Sequence, residues 1–257
     1  MDPSRMDVAR AELTSNPEGK DGCRISRHYH IVRKSGTKVR REEGNALRLA
    51  GTLGIPVPEI YDISITPEGI CSICMDFVDG VCLEDAWESI DAADKNSIAQ
   101  QLRAIISTMR AAQPTATPTL IGACDGPARD CRYISDYTGG PFATETAFHA
   151  FILNLGKGTP QLIRETLVES LQAHTGHRIV FSHADLSPRN IIVRDGQIQA
   201  LLDWEFAGWY PEYWEYVKFF DRPTGCKGWY DLAIDIFETR YPSELLTYQA
   251  IARWQRP

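Results

Sequence analysis

The sequence of 257 residues lacks a hydrophobic run that approaches the ~20 residues of a membrane-spanning helix. It also lacks an excess of basic charge, since 27 Lys and Arg stand against 34 Asp and Glu, for a net charge of -7. We therefore expect no membrane association and no general binding of nucleic acid. An acidic surface would instead suit a cationic small molecule, and a local basic cleft could still hold an anionic ligand.

The sequence has no second cysteine pair that could complete a zinc site around its one C-x-x-C motif, Cys71 and Cys74. The surrounding segment 69–75 is typical of a strand, in which cysteines pack as small apolar residues. The seven cysteines are an odd number spread along the chain, and residues 1–5 show no targeting pattern. These features predict a cytoplasmic location, where thiols stay reduced.

No internal repeat or low-complexity tract divides the chain, so its organisation is read from turn residues and hydrophobic periodicity. These signals predict the order β-β-α-β-β over 23–40, 41–53, 59–65 and 70–78. The pair Asp79-Gly80 then interrupts the pattern. We therefore predict a small, β-rich N-terminal lobe over 1–78, which could be a shortened form of such a lobe. A larger, mostly helical C-terminal lobe is predicted over 79–257.

The C-terminal part carries apolar residues at helical spacing in several segments. Helices are predicted over 94–110, 144–154, 160–174 and 229–254. The first of them has the clearest buried stripe, formed by Ile98, Leu102, Ile105, Ile106 and Met109. Residues 113–142 are rich in Pro, Gly and Thr, which predicts a long irregular connection.

The most informative segment runs from His183 to Asn190 and is followed, thirteen residues later, by Asp203. Asp185, Asn190 and Asp203 offer two carboxylates and an amide oxygen, which suits phosphoryl transfer because its catalysis is mostly positioning and charge stabilisation. Asp185 can meet a substrate hydroxyl. Asn190 and Asp203 can hold Mg²⁺ on the phosphates of a nucleotide, since this ion prefers oxygen ligands.

A predicted hairpin can bring these residues together. Two short strands flank the turn Asp195-Gly196, whose residues tolerate positive φ. Counting back from this turn puts Asn190 opposite Leu201 and on one face with Asp203. Asn190 and Asp203 would then be diagonal neighbours roughly 7–8 Å apart, close enough to share one cation.

These residues resemble the pattern H-x-D-L-x-x-x-N, then a hairpin, then Asp, of the aminoglycoside phosphotransferase and choline kinase-like family, which shares the protein kinase fold. The continuation over 203–215 is similar to a large fungal subgroup of that family. The resemblance implies an α+β, bilobal protein kinase-like fold with ATP and Mg²⁺ as cofactors. It also implies that a small-molecule hydroxyl is the acceptor, with the nucleotide bound mainly by the N-terminal lobe.

The resemblance further implies a cation on the strand around 31–34, which contacts the α and β phosphates, and a carboxylate on the next helix that orients this cation. Lys34 and Glu43 match these positions best. Arg33 stays open as an alternative, because Arg33 and Lys34 each share a strand face with an apolar residue. Glu42 is the alternative to Glu43.

Asp76, Phe77 and Val78 resemble the family's inter-lobe hinge, whose backbone amide and carbonyl groups would meet the edge of adenine. The glycine-bearing hairpin that covers the phosphates in kinase-like folds is weakly represented, since only Gly19 and Gly22 precede the first strand. This weak loop motivates a second interpretation, a catalytically weak or inert pseudokinase with a binding or regulatory role.

The resemblance implies that Asp185 is the catalytic group, which accepts or orients the hydroxyl proton. His183 is expected to hold the loop rather than to transfer a proton. A third interpretation, a metal-dependent hydrolase, predicts further His or carboxylate ligands near the hairpin. The aromatic residues over 204–216 predict either core packing or a wall for an amine. Aminoglycosides, choline-like amines, sugars and fungal secondary metabolites all stay open as acceptors.

Overall fold

Four antiparallel strands form a sheet from the N-terminal part of the chain in the computed structural model, which describes residues 22–114, 119–132, 135–155, 158–221 and 223–255. The strands are β1 (Arg24–His28), β2 (Ile31–Gly36), β3 (Ile60–Ile65) and β4 (Cys71–Asp76). Their spatial order is β1-β2-β4-β3, so β2 and β4 lie inside the sheet. The strands predicted for this part of the chain are confirmed.

The inner strand β4 is buried along almost its whole length, as a run of apolar residues predicts. Cys71 and Cys74 lie in it as free thiols. Burial raises the pKa of both, so they stay neutral and pack as apolar side chains. The prediction that this C-x-x-C motif belongs to a strand is confirmed.

Helix α1 (Arg41–Thr52) connects β2 to β3 and packs one face against the sheet. Its buried residues include Glu43, Ala46, Leu47 and Ala50, a helical spacing that leaves one polar group on the apolar face. The approach to the sheet is close, because a Cβ added to Gly44 would lie 2.4 Å from Cδ1 of Ile63. Only a residue without a side chain therefore lets α1 lie this close to β3 at position 44.

The C-terminal part combines helices with short strands, and its α+β character agrees with the predicted fold class. The helices are α2 (Leu83–Ala86), α3 (Ala92–Ala111), α4 (Glu145–Ile152), α5 (Gln161–Ala173), α6 (Trp214–Phe219), α7 (Ala233–Ile236) and α8 (Pro242–Gln255). The strands are β5 (Val81–Cys82), β6 (Gly122–Ala123), β7 (Ala128–Arg132), β8 (Ser135–Gly139), β9 (Ile179–Ser182), β10 (Ile191–Arg194), β11 (Gln197–Leu201) and β12 (Gly208–Pro211). Within the described ranges, no helix has both the length and the apolar character needed to cross a bilayer.

Helix α3 is the longest element and confirms its prediction, because all five residues of the expected stripe are buried. Asp91 caps its first turn by accepting a hydrogen bond from the Asp94 amide at 2.8 Å. The helix packs against β9, β11 and α7. It therefore supports the strands on both sides of the segment 183–190.

One prediction for this part was wrong, and another holds for most of its residues but not for all of them. Residues 113–142 are not irregular throughout, since they contain β6 and the hairpin of β7 and β8. The many Pro, Gly and Thr residues mark the turns and hide the short strands between them. The segment 229–254 is not one helix, because an extended break at Phe237 separates α7 from α8 and Pro242 begins the second helix.

The hairpin of β10 and β11 forms around Asp195-Gly196 as predicted, but its register differs from the prediction. A bulge after Ile192 shifts the pairing, so Ile191 rather than Asn190 lies opposite Leu201. Asn190 instead ends a 3₁₀ turn, and its backbone carbonyl accepts a hydrogen bond from the Leu202 amide at 2.8 Å. Asn190 therefore still reaches the start of the segment that carries Asp203.

Candidate active site

A cavity of about 660 Å³ lies between the N-terminal sheet and the hairpin of β10 and β11. Seven of the eight site residues predicted from the sequence line it: Lys34, Glu43, Asp76, Phe77, Val78, Asn190 and Asp203. Apolar side chains, among them Val32, Met75 and Leu202, line much of the remaining wall. Asp185 does not line this cavity and lies beneath it.

Lys34 occupies the centre of the polar end. Its Nζ lies 2.7 Å from Oε1 of Glu43 and 2.7 Å from Oδ1 of Asp203. Arg33 points to the opposite face of β2 and donates from Nη2 to Ser72 Oγ at 2.9 Å. The side-chain geometry thus favours Lys34 over Arg33, a choice that the periodicity left open. Glu42 is absent from the cavity wall, which favours Glu43.

Two carboxylates compete for this one ammonium group. Burial raises the pKa of Glu43 to about 7, against the attraction of Lys34 and with the added repulsion of Asp203. Burial also opposes the charge of Asp203, but the Lys34 ammonium outweighs it and holds the pKa of Asp203 below its ordinary value. Both carboxylates raise the pKa of Lys34 against the effect of its burial. Lys34 and Asp203 are therefore charged at neutral pH.

The chain is strained where it presents these groups. Ala184 and Asp203 have φ values of 62° and 60°, in the left-handed region that non-glycine residues rarely adopt. His183 connects the two positions, since its Nε2 donates to Leu202 O at 2.9 Å and its Nδ1 accepts from the Asp185 amide at 3.2 Å. Both ring nitrogens are engaged within the chain, as expected of a residue that holds the loop.

Glu215 also stabilises the loop, a role that no sequence pattern indicated. Its Oε2 accepts hydrogen bonds from the amides of His183, at 2.6 Å, and Ala184, at 3.0 Å. Glu215 lies on α6 and is buried. A carboxylate that accepts two backbone amides satisfies donors that the left-handed turn would otherwise leave unpaired. The contact spans 32 residues, and no local pattern connects its two ends.

Arg189 and Asn190 both hold the Asp185 carboxylate. Arg189 Nη2 donates to both carboxylate oxygens, at 2.8 and 2.7 Å, and Asn190 Nδ2 donates to Oδ2 at 3.1 Å. The Asp185 side chain is only 5% exposed, whereas that of Arg189 is 34% exposed and lines the cavity. Arg189 therefore separates Asp185 from the open cavity, and the sequence analysis did not single it out.

The oxygen ligands fit a hard divalent cation. Asn190 spends its Nδ2 on the carbonyl and side chain of Asp185, so its amide oxygen is left as an acceptor. Asp203 supplies a carboxylate in the adjoining segment. Two protein ligands leave several positions for phosphate oxygens and water, which is how Mg²⁺ is usually held at phosphates. The further His or carboxylate ligands expected of a hydrolase are not found, since the described residues contain no group of three or more His, Cys, Asp or Glu suited to a metal.

Two of the three backbone amides in the predicted hinge segment, 76–78, already donate hydrogen bonds within the chain. The amide of Asp76 donates to Glu59 O at 2.9 Å, and that of Phe77 donates to His30 O at 2.6 Å. The amide of Val78 has no such partner among the described residues, so it is the donor left for a ligand in the cavity. The Arg27 guanidinium lies 3.3 Å from the ring centroid of Phe77 and holds that side chain in place.

The aromatic residues over 204–216 mainly form core. Trp204, Tyr210, Tyr213 and Trp214 are buried, and they pack in edge-on, tilted or stacked contacts. Phe206 is the member that reaches the cavity wall. The acidic neighbours are also engaged: Glu205 pairs with Arg129 at 3.1 Å, and Glu212 pairs with Arg178 at 2.8 Å.

The chain is similar to one known protein family in sequence and to several solved structures in fold. The model of the phosphotransferase enzyme family matches residues 18–242. A thermostable mutant of aminoglycoside phosphotransferase APH(4)-Ia is similar in structure, with a TM-score of 0.63 and 17% identity over 96% of this chain and 88% of that one. Another structure of such a mutant, in ternary complex with ADP and hygromycin B, has a TM-score of 0.63 and 16% identity over 98% and 88%. The GDP and kanamycin complex of APH(2")-IIia has a TM-score of 0.61 and 13% identity over 96% and 86%.

These similarities confirm the predicted kinase-like fold, with a β-rich N-terminal sheet and a mainly helical C-terminal part. At such low identity the similarities indicate the fold, and they do not identify the acceptor molecule. A comparison with curated proteins finds no significant match.

Proposed function

Because the chain belongs to the phosphotransferase enzyme family, we propose that it transfers the γ-phosphoryl group of ATP, with Mg²⁺, to a hydroxyl of a small molecule. The observation that carries this proposal is the convergence of Lys34, Asn190 and Asp203 on one cavity, with Asp185 directly beneath it. We further propose a cytoplasmic enzyme of the fungal subgroup that residues 203–215 resemble, with its nucleotide bound mainly by residues 1–78 and its acceptor by 79–257.

Each residue has a distinct role in this proposal. Lys34, oriented by Glu43, attracts the α and β phosphates, while Val78 donates its amide to the base. Asn190 and Asp203 hold Mg²⁺, which neutralises charge on the phosphate oxygens when bound. Asp185 orients the acceptor hydroxyl and accepts its proton.

The acceptor is proposed to be a polyhydroxylated or amine-bearing small molecule. Two structural neighbours were solved with hygromycin B or kanamycin, which are a reasonable start for a substrate screen. The net charge of -7 is compatible with attraction of a cationic acceptor. Choline-like amines, sugars and secondary metabolites with free hydroxyls belong in the same screen.

The test is an ADP-release assay over such a panel, combined with calorimetric titration of ATP with and without Mg²⁺. Acceptor-dependent ADP release by the wild-type chain, lost in Asp203→Asn, is the expected result. Asp195→Asn serves as the matched control, because Asp195 has a similar φ of 53° but lies in the hairpin turn outside the cavity. Absence of Mg²⁺-dependent nucleotide binding in the wild-type chain would show that the proposal is wrong.

One observation favours a second candidate, a nucleotide-binding protein with little or no turnover. Asp185 is nearly inaccessible, because Arg189 lies between its carboxylate and the cavity. If the Arg189 side chain stays in front of Asp185 with nucleotide bound, instead of turning towards the phosphates, an acceptor hydroxyl does not reach Asp185. Mg²⁺-dependent ATP binding without ADP release from any acceptor would support this regulatory or binding role.

A further inference from the structure

We propose that Arg189 contacts the γ-phosphoryl group directly while it keeps its hold on Asp185. Arg189 would then connect the group that receives the hydroxyl proton with the group that is transferred. The inference rests on the proposed phosphotransferase function and assigns a further catalytic residue to it. Nothing in the sequence pattern H-x-D-L-x-x-x-N itself requires an arginine at this position.

The position of Arg189 in the cavity is the first argument. Arg189 and Asn190 are adjacent in the 3₁₀ turn and both line the cavity that holds Lys34 and Asp203. The guanidinium therefore stands on the same wall as the proposed metal ligand. Phosphate oxygens bound to that metal would lie within reach of the neighbouring side chain, because an arginine side chain is long and ends in a planar fork.

The unused hydrogen-bonding capacity of Arg189 is the second argument. A guanidinium carries five N–H donors on three nitrogens. Asp185 engages Nη2 alone, at 2.8 and 2.7 Å, so Nε and Nη1 have no acceptor among the described residues. The side chain keeps 34% of its surface exposed. A phosphoryl group presents several acceptor oxygens and matches such a fork bidentately.

The charge that develops during the transfer explains how a contact between Arg189 and the γ-phosphoryl group would assist the reaction. The acceptor oxygen forms a bond to phosphorus as the bond from phosphorus to the bridging oxygen breaks, so ADP leaves and the hydroxyl proton passes to Asp185. Negative charge is spread over the three equatorial oxygens of the moving group. A guanidinium that donates to those oxygens stabilises that charge, and the same side chain orients the Asp185 carboxylate through its hydrogen bonds.

A purely structural role makes different predictions. If Arg189 only neutralises the buried carboxylate of Asp185, its removal lowers stability and affects every nucleotide equally. If Arg189 contacts the γ-phosphoryl group, its removal weakens binding of a triphosphate analogue and leaves binding of a diphosphate unchanged. The ratio of the two affinities therefore separates the two roles.

The experiment is calorimetric titration of the full chain with Mg²⁺ and either ADP or AMP-PNP, for wild type, Arg189→Gln and Arg189→Lys. We expect ADP affinity to stay within about twofold in both variants, because ADP lacks the γ group. AMP-PNP affinity should fall about tenfold in Arg189→Gln, the loss typical of one charge-assisted contact. Arg189→Lys should recover part of it, since it keeps the charge without the fork. Arg194→Gln, an exposed arginine that pairs with Asp79, is the control and should change neither affinity.

Turnover supplies a second readout once an acceptor is found. We expect kcat to fall by about three orders of magnitude in Arg189→Gln, with a smaller change in the KM for ATP, as for arginines that stabilise a moving phosphoryl group. An equal loss of ADP and AMP-PNP affinity, or no loss of either, would overturn the role of Arg189 and leave the proposed function intact. Failure of the wild-type chain to bind either nucleotide would overturn both.

Discussion

Lys34 Nζ lies 2.7 Å from Asp203 Oδ1, although the two residues are 169 positions apart in the sequence. The contact joins the second strand of the N-terminal sheet to the segment that follows the hairpin. The Lys34 ammonium group thus offsets the negative charge of Asp203. Binding of a metal and phosphates would exchange this contact for two others, Asp203 with the cation and Lys34 with phosphate.

Asp203→Asn is expected to abolish Mg²⁺-dependent nucleotide binding while leaving the fold intact. The carboxylate supplies the negative charge that a divalent cation needs, and an amide does not replace it. Asn is the right substitution because it tolerates the φ of 60° at this position, whereas Ala would add strain of about 1–2 kcal/mol. Calorimetric titration of ATP with and without Mg²⁺ measures the effect.

The outcome is interpretable against Asp195→Asn, which should bind Mg²⁺-ATP as the wild type does. Magnesium-dependent binding retained by Asp203→Asn would show that the metal is held elsewhere. A lowered melting temperature in Asp203→Asn alone would point to the lost Lys34 contact as a structural one.

Asp185→Asn should reduce turnover by about two to four orders of magnitude, the usual contribution of a general base, while nucleotide affinity changes little. The reason is positional, since Asp185 lies beneath the cavity wall rather than on it. The measurements are kcat with an identified acceptor and ADP affinity by calorimetry. A parallel collapse of both quantities would indicate that the loop around Arg189 has rearranged, and would contradict a purely chemical role.

Nucleotide affinity and stability should respond to pH in opposite directions near neutrality. The pKa of Glu43 is raised to about 7 by burial, so Glu43 is ionised only above that pH. Ionised Glu43 gives Lys34 a second carboxylate and eases its release from Asp203, so Mg²⁺-ATP affinity should fall as pH drops below about 7.

The titration of Glu43 also changes the stability of the fold, because the folded and unfolded chains bind its proton with different affinity. A carboxyl group whose pKa is higher in the folded chain binds more protons there, so its contribution is present at low pH and is lost as pH rises through about 7. Glu43→Gln should flatten both profiles, measured by titration and by urea unfolding across this range. Profiles unchanged by Glu43→Gln would assign the titration to another group.

The sequence predicted those parts of the site that depend on residues close in the chain. The hairpin turn at Asp195-Gly196 and the placement of Asn190 near Asp203 followed from alternation and turn chemistry. The register was nevertheless wrong by one residue, because a bulge leaves no mark in the hydrophobic pattern. This error does not change the position of Asp203. The backbone of Asp203 is left-handed, so the alternation of side chains along the strand, on which the predicted register relied, no longer applies at this residue.

The contacts that sequence reasoning missed are those whose partners are distant or locally unremarkable. Lys34 and Glu43 were assigned through a family resemblance, and their pairing with Asp203 came only with the tertiary structure. Arg189 is adjacent to a predicted ligand, yet an exposed-looking arginine in a turn gives no signal of its own. Glu215 looked like one more acidic residue in an aromatic run, although it holds the turn at Ala184.

Glu145 should protect the C-terminal part against acid. It accepts hydrogen bonds from the His177 ring at 2.7 Å and the Gly176 amide at 2.8 Å. Burial opposes its charge, but hydrogen bonds from His149, His177 and Gly176 lower its pKa to about 2. A depressed carboxyl pKa contributes stability above the ordinary value near 4.5, and this contribution is lost as pH falls towards 2.

Glu145→Gln should therefore cost about 2 kcal/mol of unfolding free energy at pH 7 and nearly nothing at pH 2. Urea unfolding at both values measures it. Glu169→Gln, at an exposed position on α5, is the control and should change neither. An equal loss of unfolding free energy at both pH values would show that Glu145 stabilises the fold by packing rather than by its charge.

Glu215→Ala is expected to be the most damaging single change near the site. It would leave the buried amides of His183 and Ala184 without an acceptor, at about 1–3 kcal/mol for each unsatisfied group. Turnover should fall with stability, because Ala184 keeps its φ of 62° only while both amides are held. Glu215→Gln should restore most of the loss, since its amide oxygen can accept the same two bonds.

The two substitutions should also differ in their pH dependence. Burial raises the pKa of Glu215, so the wild-type carboxylate is costly to ionise and its contribution to stability declines as pH rises. The stability difference between wild type and Glu215→Gln should therefore shrink, or change sign, from about pH 4.5 upward. A difference that grows with pH would mean that the two backbone amides favour the ionised form strongly enough to overcome burial.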